Sequence, residues 1–268
     1  IASGQAMDRT VSSAVGAPPN DVCVCVWGGG GYHRARSFRL RISSMASAFE
    51  AITVLLRVRP CTQEDAPTCL TAVDDGSAAT TSVRVGGDNF QFSHVFEPAA
   101  LQEEVFEQCR CVVETTLGGF NSTVLAYGQT GSGKTHTLGT AEDCAQPGLI
   151  QNTLHALFSS GAQRLLSVEA SFVEIYQEKI KDLLVPAGEG AHERLASFGK
   201  ATKRKVATCE QALGVLANGA GRRTVGATLM NGASSRSHAV FALELEISAE
   251  DGRRYTPKLM FVDLAGSE

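Results

Sequence analysis

Along this chain the spacing of apolar positions switches between two periods, and each switch marks an element. Ile52–Arg59 is an apolar, β-branched run closed by Pro60, which has no N–H to give to a ladder, so it reads as a strand. Phe90–Phe96 puts Phe90 and Phe92 on one face and reads as another strand. Between Leu101 and Leu117 the apolar residues Val105, Phe106, Cys109, Val112, Val113 and Leu117 recur at helical spacing. Ser122–Tyr127 is a short buried strand, and a helix is expected to open at Lys134. Leu149–Phe158 predicts a further helix, Ser167–Tyr176 a long strand, and the stretch through Leu184 a short helix. Residues 185–208 read as a long loop, with room for short strands, and Glu210–Ala217 as a helix with Leu213 and Leu216 inward. Ser237–Ile247 reads as an alternating strand with Phe241, Leu243, Leu245 and Ile247 on one face, Asp251-Gly252 makes a turn, and Lys258–Leu264 returns antiparallel. Strands alternating with helices predict an α/β fold: a mixed central sheet with helices on both faces.

Residues 1–50 have another texture. Pro18-Pro19, four glycines at 28–31 and the cluster Arg34, Arg36, Arg39 and Arg41 predict a disordered extension, although Val22–Trp27 has strand composition. Met45 stands just before the ordered pattern begins, which suggests an alternative start. The expected division is therefore 1–50 as extension and 51–268 as one domain. Of the 268 residues, 43% are hydrophobic, enough to bury a sizeable core. A net charge of −4 with 19% charged residues argues against a general nucleic-acid binder. The eight cysteines include two C-x-C pairs, Cys23/Cys25 and Cys109/Cys111, without a C-x-x-C partner cluster, so a zinc site is not indicated and reduced cytosolic thiols are. No apolar run is long enough to span a bilayer, and no secretory pattern opens the chain, which also discounts the acceptor-like Asn121-Ser122-Thr123. The expectation is a soluble intracellular protein.

Three segments carry chemistry. Gly128-Gln129-Thr130-Gly131-Ser132-Gly133-Lys134-Thr135 satisfies G-x-x-x-x-G-K-[ST] in full. Glycines let successive N–H groups turn inward around phosphate oxygens, the lysine neutralises the β- and γ-phosphates, and the threonine hydroxyl ligates Mg²⁺. Next comes Asn231-Gly232-Ala233-Ser234-Ser235-Arg236-Ser237-His238, where hydroxyls for Mg²⁺ and phosphate stand beside a cation. Last is Asp263-Leu264-Ala265-Gly266-Ser267-Glu268, with an acid at the carboxyl end of an apolar strand and Gly266 offering an N–H near the γ-phosphate position. Taken singly, a glycine turn, a polar loop and a strand end explain these segments; occurring in this order they make one site for a nucleoside triphosphate with Mg²⁺ at the carboxyl edge of a sheet.

YGQTGSGKTHT (127–137), NGASSRSH (231–238) and DLAGSE (263–268) resemble the P-loop, switch I and switch II of kinesins. Arg57-Val58-Arg59-Pro60, FSHVFEP (92–98), Phe120-Asn121, FVEIYQEKIKDLL (172–184) and Arg222–Asn231 follow in kinesin order, so the resemblance covers roughly 51–268. It implies a P-loop NTPase fold and a microtubule-stimulated ATPase motor, located on the cytoplasmic cytoskeleton, with ATP and Mg²⁺ as cofactors and tubulin as partner. No nucleic acid and no membrane insertion are implied. Residue by residue, Arg57, Pro60 and His136 would flank adenine, and Gln129, Thr130, Gly131, Ser132, Gly133, Lys134 and Thr135 would hold the phosphates. Thr135 and Ser235 would ligate Mg²⁺, with Asp263 behind them through water. Ser234 would touch the γ-phosphate and the attacking water, Gly266 would sense the γ-phosphate, and Arg236 and Glu268 would form the salt bridge between the switches. The basic run Lys200, Lys203, Arg204 and Lys205 corresponds to a region that approaches tubulin in kinesins; a merely solvated loop explains it equally.

The resemblance has departures. Segment 185–208 is short for the family, and Cys61 stands where kinesins usually carry leucine. The switch-II helix, the main microtubule-binding elements, the last strand and helix and the neck of kinesins have no counterpart before Glu268. The fragment is therefore expected to lack the C-terminal elements, to expose apolar sheet surface, to be poorly stable alone and to move nothing. A non-motile, nucleotide-regulated, kinesin-like microtubule-binding protein is the alternative function. SSRSH and DLAGSE argue against a P-loop enzyme of another class, such as a small-molecule kinase.

Overall fold

A computed structural model describes residues 22–29, 52–60, 70–73, 82–85, 88–140, 146–160, 164–185, 195, 197–229, 235–248 and 252–268. Its strands are β1 (Val22–Gly29), β2 (Thr53–Val58), β3 (Leu70–Val73), β4 (Ser82–Val85), β5 (Asp88–Gln91), β6 (His94–Phe96), β7 (Ser122–Gly128), β8 (Leu165–Tyr176), β9 (Lys179–Asp182), β10 (Arg204–Lys205), β11 (His238–Ser248), β12 (Arg254–Tyr255) and β13 (Lys258–Asp263). The helices are α1 (Gln102–Cys109), α2 (Cys111–Leu117), α3 (Lys134–Leu138), α4 (Leu149–Ser160) and α5 (Cys209–Leu229).

The main sheet runs β10-β8-β11-β13-β7-β1-β2-β6, with β12 joined to β11 and β9 to β8. β11 pairs antiparallel with both β8 and β13, while β13, β7, β1, β2 and β6 are mutually parallel, so the sheet is mixed as expected. β8 and β11 are the long spine, and between them Phe172 and Phe241 meet edge to face at 5.6 Å. Such a pair adds about 1 kcal/mol beyond the area it buries.

Burial alternates along β7 and β13, whereas the middle of β8 and of β11 is buried on both faces. Val124 and Ala126 on β7, Phe261 on β13, and Phe241 and Leu243 on β11 face one core with Val105 and Val112 from the first two helices, Leu154 from α4 and Leu216 from α5. The helices that share this core cover the mixed sheet in the expected α/β manner. Opposite it, β3, β4 and β5 form a separate small sheet that meets β2 and β6 through Leu56, Val83 and Val95. At the far end Val173 and Val240 pack on Ala201, beside a single 3₁₀ turn at Phe198–Lys200. Between these two patches Leu125, Met260 and Val262 are half-buried, and Tyr127 is 41% exposed.

Several expectations are corrected. The proposed extension 1–50 contains β1, which lies parallel between β2 and β7 in continuous register. Its partners are remote in sequence, so neighbouring residues gave no sign of them; the remainder of that stretch, apart from its strand, lies outside the described residues. Phe90–Phe96 is two strands in two sheets, divided where Ser93 N–H bonds the Val54 carbonyl at 2.8 Å. The helix 101–117 is broken at Arg110. The predicted short helix before Leu184 is β9, a hairpin return made possible by Gln177 and Glu178 at φ +48° and +61°. Helix 210–217 runs much further, to Leu229.

Candidate functional site

β7 and β13 are parallel neighbours, and the register sets Asp263 beside Ala126, two residues before the P-loop begins. Chemistry therefore gathers at the carboxyl edge of these strands, where open α/β sheets place ligands. Gly131 and Gly133 hold φ of +77° and +98°, a region that L side chains rarely adopt, and this turns the loop inward. A Cβ at Gly133 would meet nothing within 4 Å, so the glycine borders open space rather than packed protein. The Ser132 hydroxyl is buried without a hydrogen-bond partner. A concave glycine loop with an unmatched buried hydroxyl fits a phosphate group.

Lys134 Nζ donates to the carbonyls of Gly128 and Gln129 at 2.7 and 2.8 Å, folded over its own loop. Partial burial pulls its ammonium below the ordinary lysine range, opposed by Asp263 and Glu268. Thr135 Oγ1 donates to Asp263 Oδ2 at 2.9 Å, which joins the P-loop helix to the end of β13. Gly266 N–H bonds the Ser235 carbonyl at 2.8 Å, and Ala265 N–H donates to His238 Nδ1 at 3.0 Å, so the second and third segments meet as well. Ser234 lies outside the described residues.

Two of the expected site residues make other contacts in this structure. Glu268 does not pair with Arg236. Its carboxylate takes the Thr130 backbone N–H at 2.9 Å together with the Thr130 hydroxyl. These bonds, the hydroxyl first, hold the carboxyl well below the usual range, at about 2. The reason is local: Ser267 N–H bonds the Gly128 carbonyl at 3.2 Å and so lays the chain end along the P-loop. Arg57 likewise does not offer its guanidinium to an open site. It donates to Gln102 Oε1, Thr137 Oγ1 and the Ala100 carbonyl at 2.6, 3.1 and 3.2 Å.

Arg59, not singled out in the sequence, is the exposed arginine at this edge and bonds the Gly131 carbonyl. Burial lowers the His136 imidazole below its ordinary value, and the charges of Arg57 and Arg59 add to the effect. Pro60 is exposed at the end of β2.

A buried network behind Asp263 also escaped the sequence. Arg223 on α5 donates Nη1 to Asp263 Oδ2 at 2.8 Å and Nη2 to the Ser237 carbonyl at 3.3 Å. Glu174 on β8 lies 3.9 Å from Arg223 Nε and accepts the Ser237 hydroxyl at 2.7 Å. In the sequence Arg223 lies within the family match Arg222–Asn231 and past the predicted end of its helix, and neither reveals partners at Glu174 and Asp263.

In the basic run, Lys203 pairs with Glu244 at 2.6 Å, which Lys258 shares at 3.2 Å. Lys200, Arg204 and Lys205 are exposed. Among the described residues no group of three or more His, Cys, Asp or Glu forms a metal site, and no helix is long and apolar enough to cross a membrane.

Comparison with known proteins agrees with this arrangement. The kinesin motor domain family model matches residues 57–268. Kinesin-related protein 5 of Dictyostelium discoideum is 36% identical over 239 residues, covering 81% of this chain and 24% of that protein. Chromosome-associated kinesin KIF4 of Xenopus laevis is 38% identical over 242 residues, with 81% and 19% covered. Kinesin heavy chain of Drosophila melanogaster is 34% identical over 235 residues, with 82% and 24% covered. The chain thus spans a quarter or less of the length of these relatives. A solved structure of a fast kinesin superposes with a TM-score of 0.70 at 28% identity, over 81% of this chain and 66% of that one. With a P-loop, two switch segments and a mixed sheet arranged in this order, the chain belongs to the kinesin motor-domain family.

Proposed function

We propose that this chain is the ATP-binding and ATP-hydrolysing part of a microtubule-based motor, coupling hydrolysis to movement along microtubules in the full-length protein. The observation that carries the reading is the Thr135–Asp263 bond at 2.9 Å, which brings P-loop and switch II to one point. Gln129 to Thr135 surround the phosphates, and His136 and Pro60 stand on the adenine side with Arg59 across the loop. Arg57 acts behind them, through Thr137 and Gln102. Thr135 and Ser235 would hold Mg²⁺, with Asp263 behind them through water, and the ion would supply charge neutralisation at the phosphates.

The other residues keep their roles as proposals. Ser234 positions water, and the Gly266 N–H, now on the Ser235 carbonyl, is the group that reads the γ-phosphate position. Glu268 exchanges Thr130 for Arg236 as the switches close, an order-to-order form of the usual switch transition. Relatives that include a kinesin heavy chain favour a motor over a non-motile binder. Lys200, Arg204 and Lys205 remain candidate contacts for acidic tubulin, whereas Lys203 is engaged with Glu244. The setting is the microtubule cytoskeleton. The test is steady-state ATP turnover of the full-length protein with and without microtubules. Stimulation by microtubules, abolished by Glu268→Ala with ATP still bound, is expected; turnover indifferent to microtubules contradicts the reading.

A further inference from the structure

The helix that carries Lys134, Thr135 and His136 has five residues. Any helix leaves its last four carbonyls without intrahelical partners, so a helix this short consists almost wholly of ends and has little stability of its own. Two side chains from other elements supply what it lacks, and a third braces it through a side-chain hydroxyl. Gln102, at the start of α1, donates Nε2 to the His136 carbonyl at 2.6 Å. Gln151, on α4, donates Nε2 to the Gly139 carbonyl at 2.6 Å. Arg57 reaches Thr137 Oγ1.

Both glutamines are engaged at each end of the amide. Gln102 Oε1 accepts Arg57 Nη1 at 2.6 Å, and Gln151 Oε1 accepts Gly148 N–H at 3.1 Å. An amide held by both its donor and its acceptor has one orientation. Gln102 is 2% exposed, so water does not replace a bond it loses. Gln151 spans a crossing of backbones: a Cβ at Gly148 would collide with Gly139, and a Cβ at Gly139 would collide with the Gln151 amide. Gly139 itself sits at φ +82°, the left-handed turn that ends the helix.

We propose that Gln102 and Gln151 are positioning residues of the nucleotide site, which cap the carbonyl end of α3 and thereby fix His136 and Thr135 against the bound nucleotide. Their tasks divide. Gln102 couples the His136 carbonyl to Arg57 and governs the base side. Gln151 ties the exit of α3 to α4 and governs how readily the helix loosens. The proposal rests on the adenine-nucleotide reading above.

The experiment uses the full chain and three probes, ADP, GDP and inorganic pyrophosphate, measured by calorimetry, with melting temperature as the control. Gln102→Glu keeps the size and the acceptor toward Arg57 but sets an oxygen against the His136 carbonyl. It is expected to weaken ADP about tenfold and to shrink the preference for ADP over GDP by a similar factor, with pyrophosphate affinity within about twofold. Gln151→Glu keeps the acceptor for Gly148 and loses the donor to Gly139; ADP is expected to dissociate several-fold faster from a protein of nearly unchanged melting temperature. If Gln102→Glu does not fold, the half-buried Gln151 position decides alone. Folded variants that retain ADP affinity, base preference and ADP dissociation rate overturn the proposal, as does an equal loss for all three probes that tracks the melting temperature. Failure of the unsubstituted chain to bind ADP overturns the nucleotide-site reading itself and is seen before any variant is made.

Discussion

Replacing Arg223 by methionine tests the buried network most severely. Arg223 and Asp263 have side-chain exposures of 8% and 2% and meet at 2.8 Å. Methionine roughly fills the space but leaves buried Asp263 without the guanidinium that faces it, while Glu174 keeps Lys181 at 4.0 Å. Breaking a buried pair by removing one partner costs about 3–5 kcal/mol, because the remaining charge is neither solvated nor compensated. Domains have only about 5–15 kcal/mol in hand, so the variant sits near the edge of folding. At about 2–4 °C per kcal/mol for a chain of this size, the melting temperature should fall by roughly 6–20 °C. Arg254 is the control. It pairs with Glu246 at 3.1 Å while 72% exposed, and Arg254→Met should cost at most about 1 kcal/mol. Urea denaturation of both variants against the parent gives the two values. A loss below about 1 kcal/mol for Arg223→Met would refute the claim that this network is desolvated and mutually dependent.

Three further outcomes follow from the geometry. A Cβ at Gly219 on α5 would collide with the Phe172 ring, so Gly219→Ala should lower stability by about 1–3 kcal/mol in the same denaturation assay, despite alanine's better helix propensity. His136 titrates below its unfolded value of 6.5, so the folded state binds fewer protons than the unfolded one just under that pH. Its contribution is complete above pH 6.5 and is lost as pH falls from there through the folded value; thermal melts across that window should show the decline, and His136→Gln should flatten it. Burial pushes the Cys109 thiol up to about 12, helped by Cys111, whereas Cys111 is exposed with a smaller upward shift from partial burial. Iodoacetamide at about pH 8 should therefore alkylate Cys111 and spare Cys109 in the native protein, as peptide mass spectrometry would record.

The parts legible in the sequence share one property: their information is local. The P-loop is a contiguous glycine pattern, and the helix does open at Lys134. β13 alternates cleanly, β11 does so from Leu243 onward, and the two pair antiparallel as expected. What was misread depends on remote partners or on single backbone angles. Lys179–Leu184 has a helix-like spacing, yet two residues at positive φ turn it back on β8. Val22–Gly29 had the composition of a strand, but parallel partners lie a crossover away and leave no trace beside it. The same holds for the site. Thr135 and Asp263 could be named from motifs, whereas Arg223, Gln102 and Gln151 look like ordinary helix residues until the fold brings their partners within 3 Å. Glu268 was identified as a site residue from its motif, but its bond to Thr130 was not, because motif order says which residues share a site and not which contact is made in a given state.

The central claim is that Gly128–Thr135 binds an adenine nucleotide with Mg²⁺ through Lys134. Calorimetric titration of the full chain and of Lys134→Ala with ADP, in Mg²⁺-containing buffer, tests it most directly. The account predicts one saturable site in the parent and no measurable heat of binding in the variant at equal fold content. Equal binding by both proteins would contradict it.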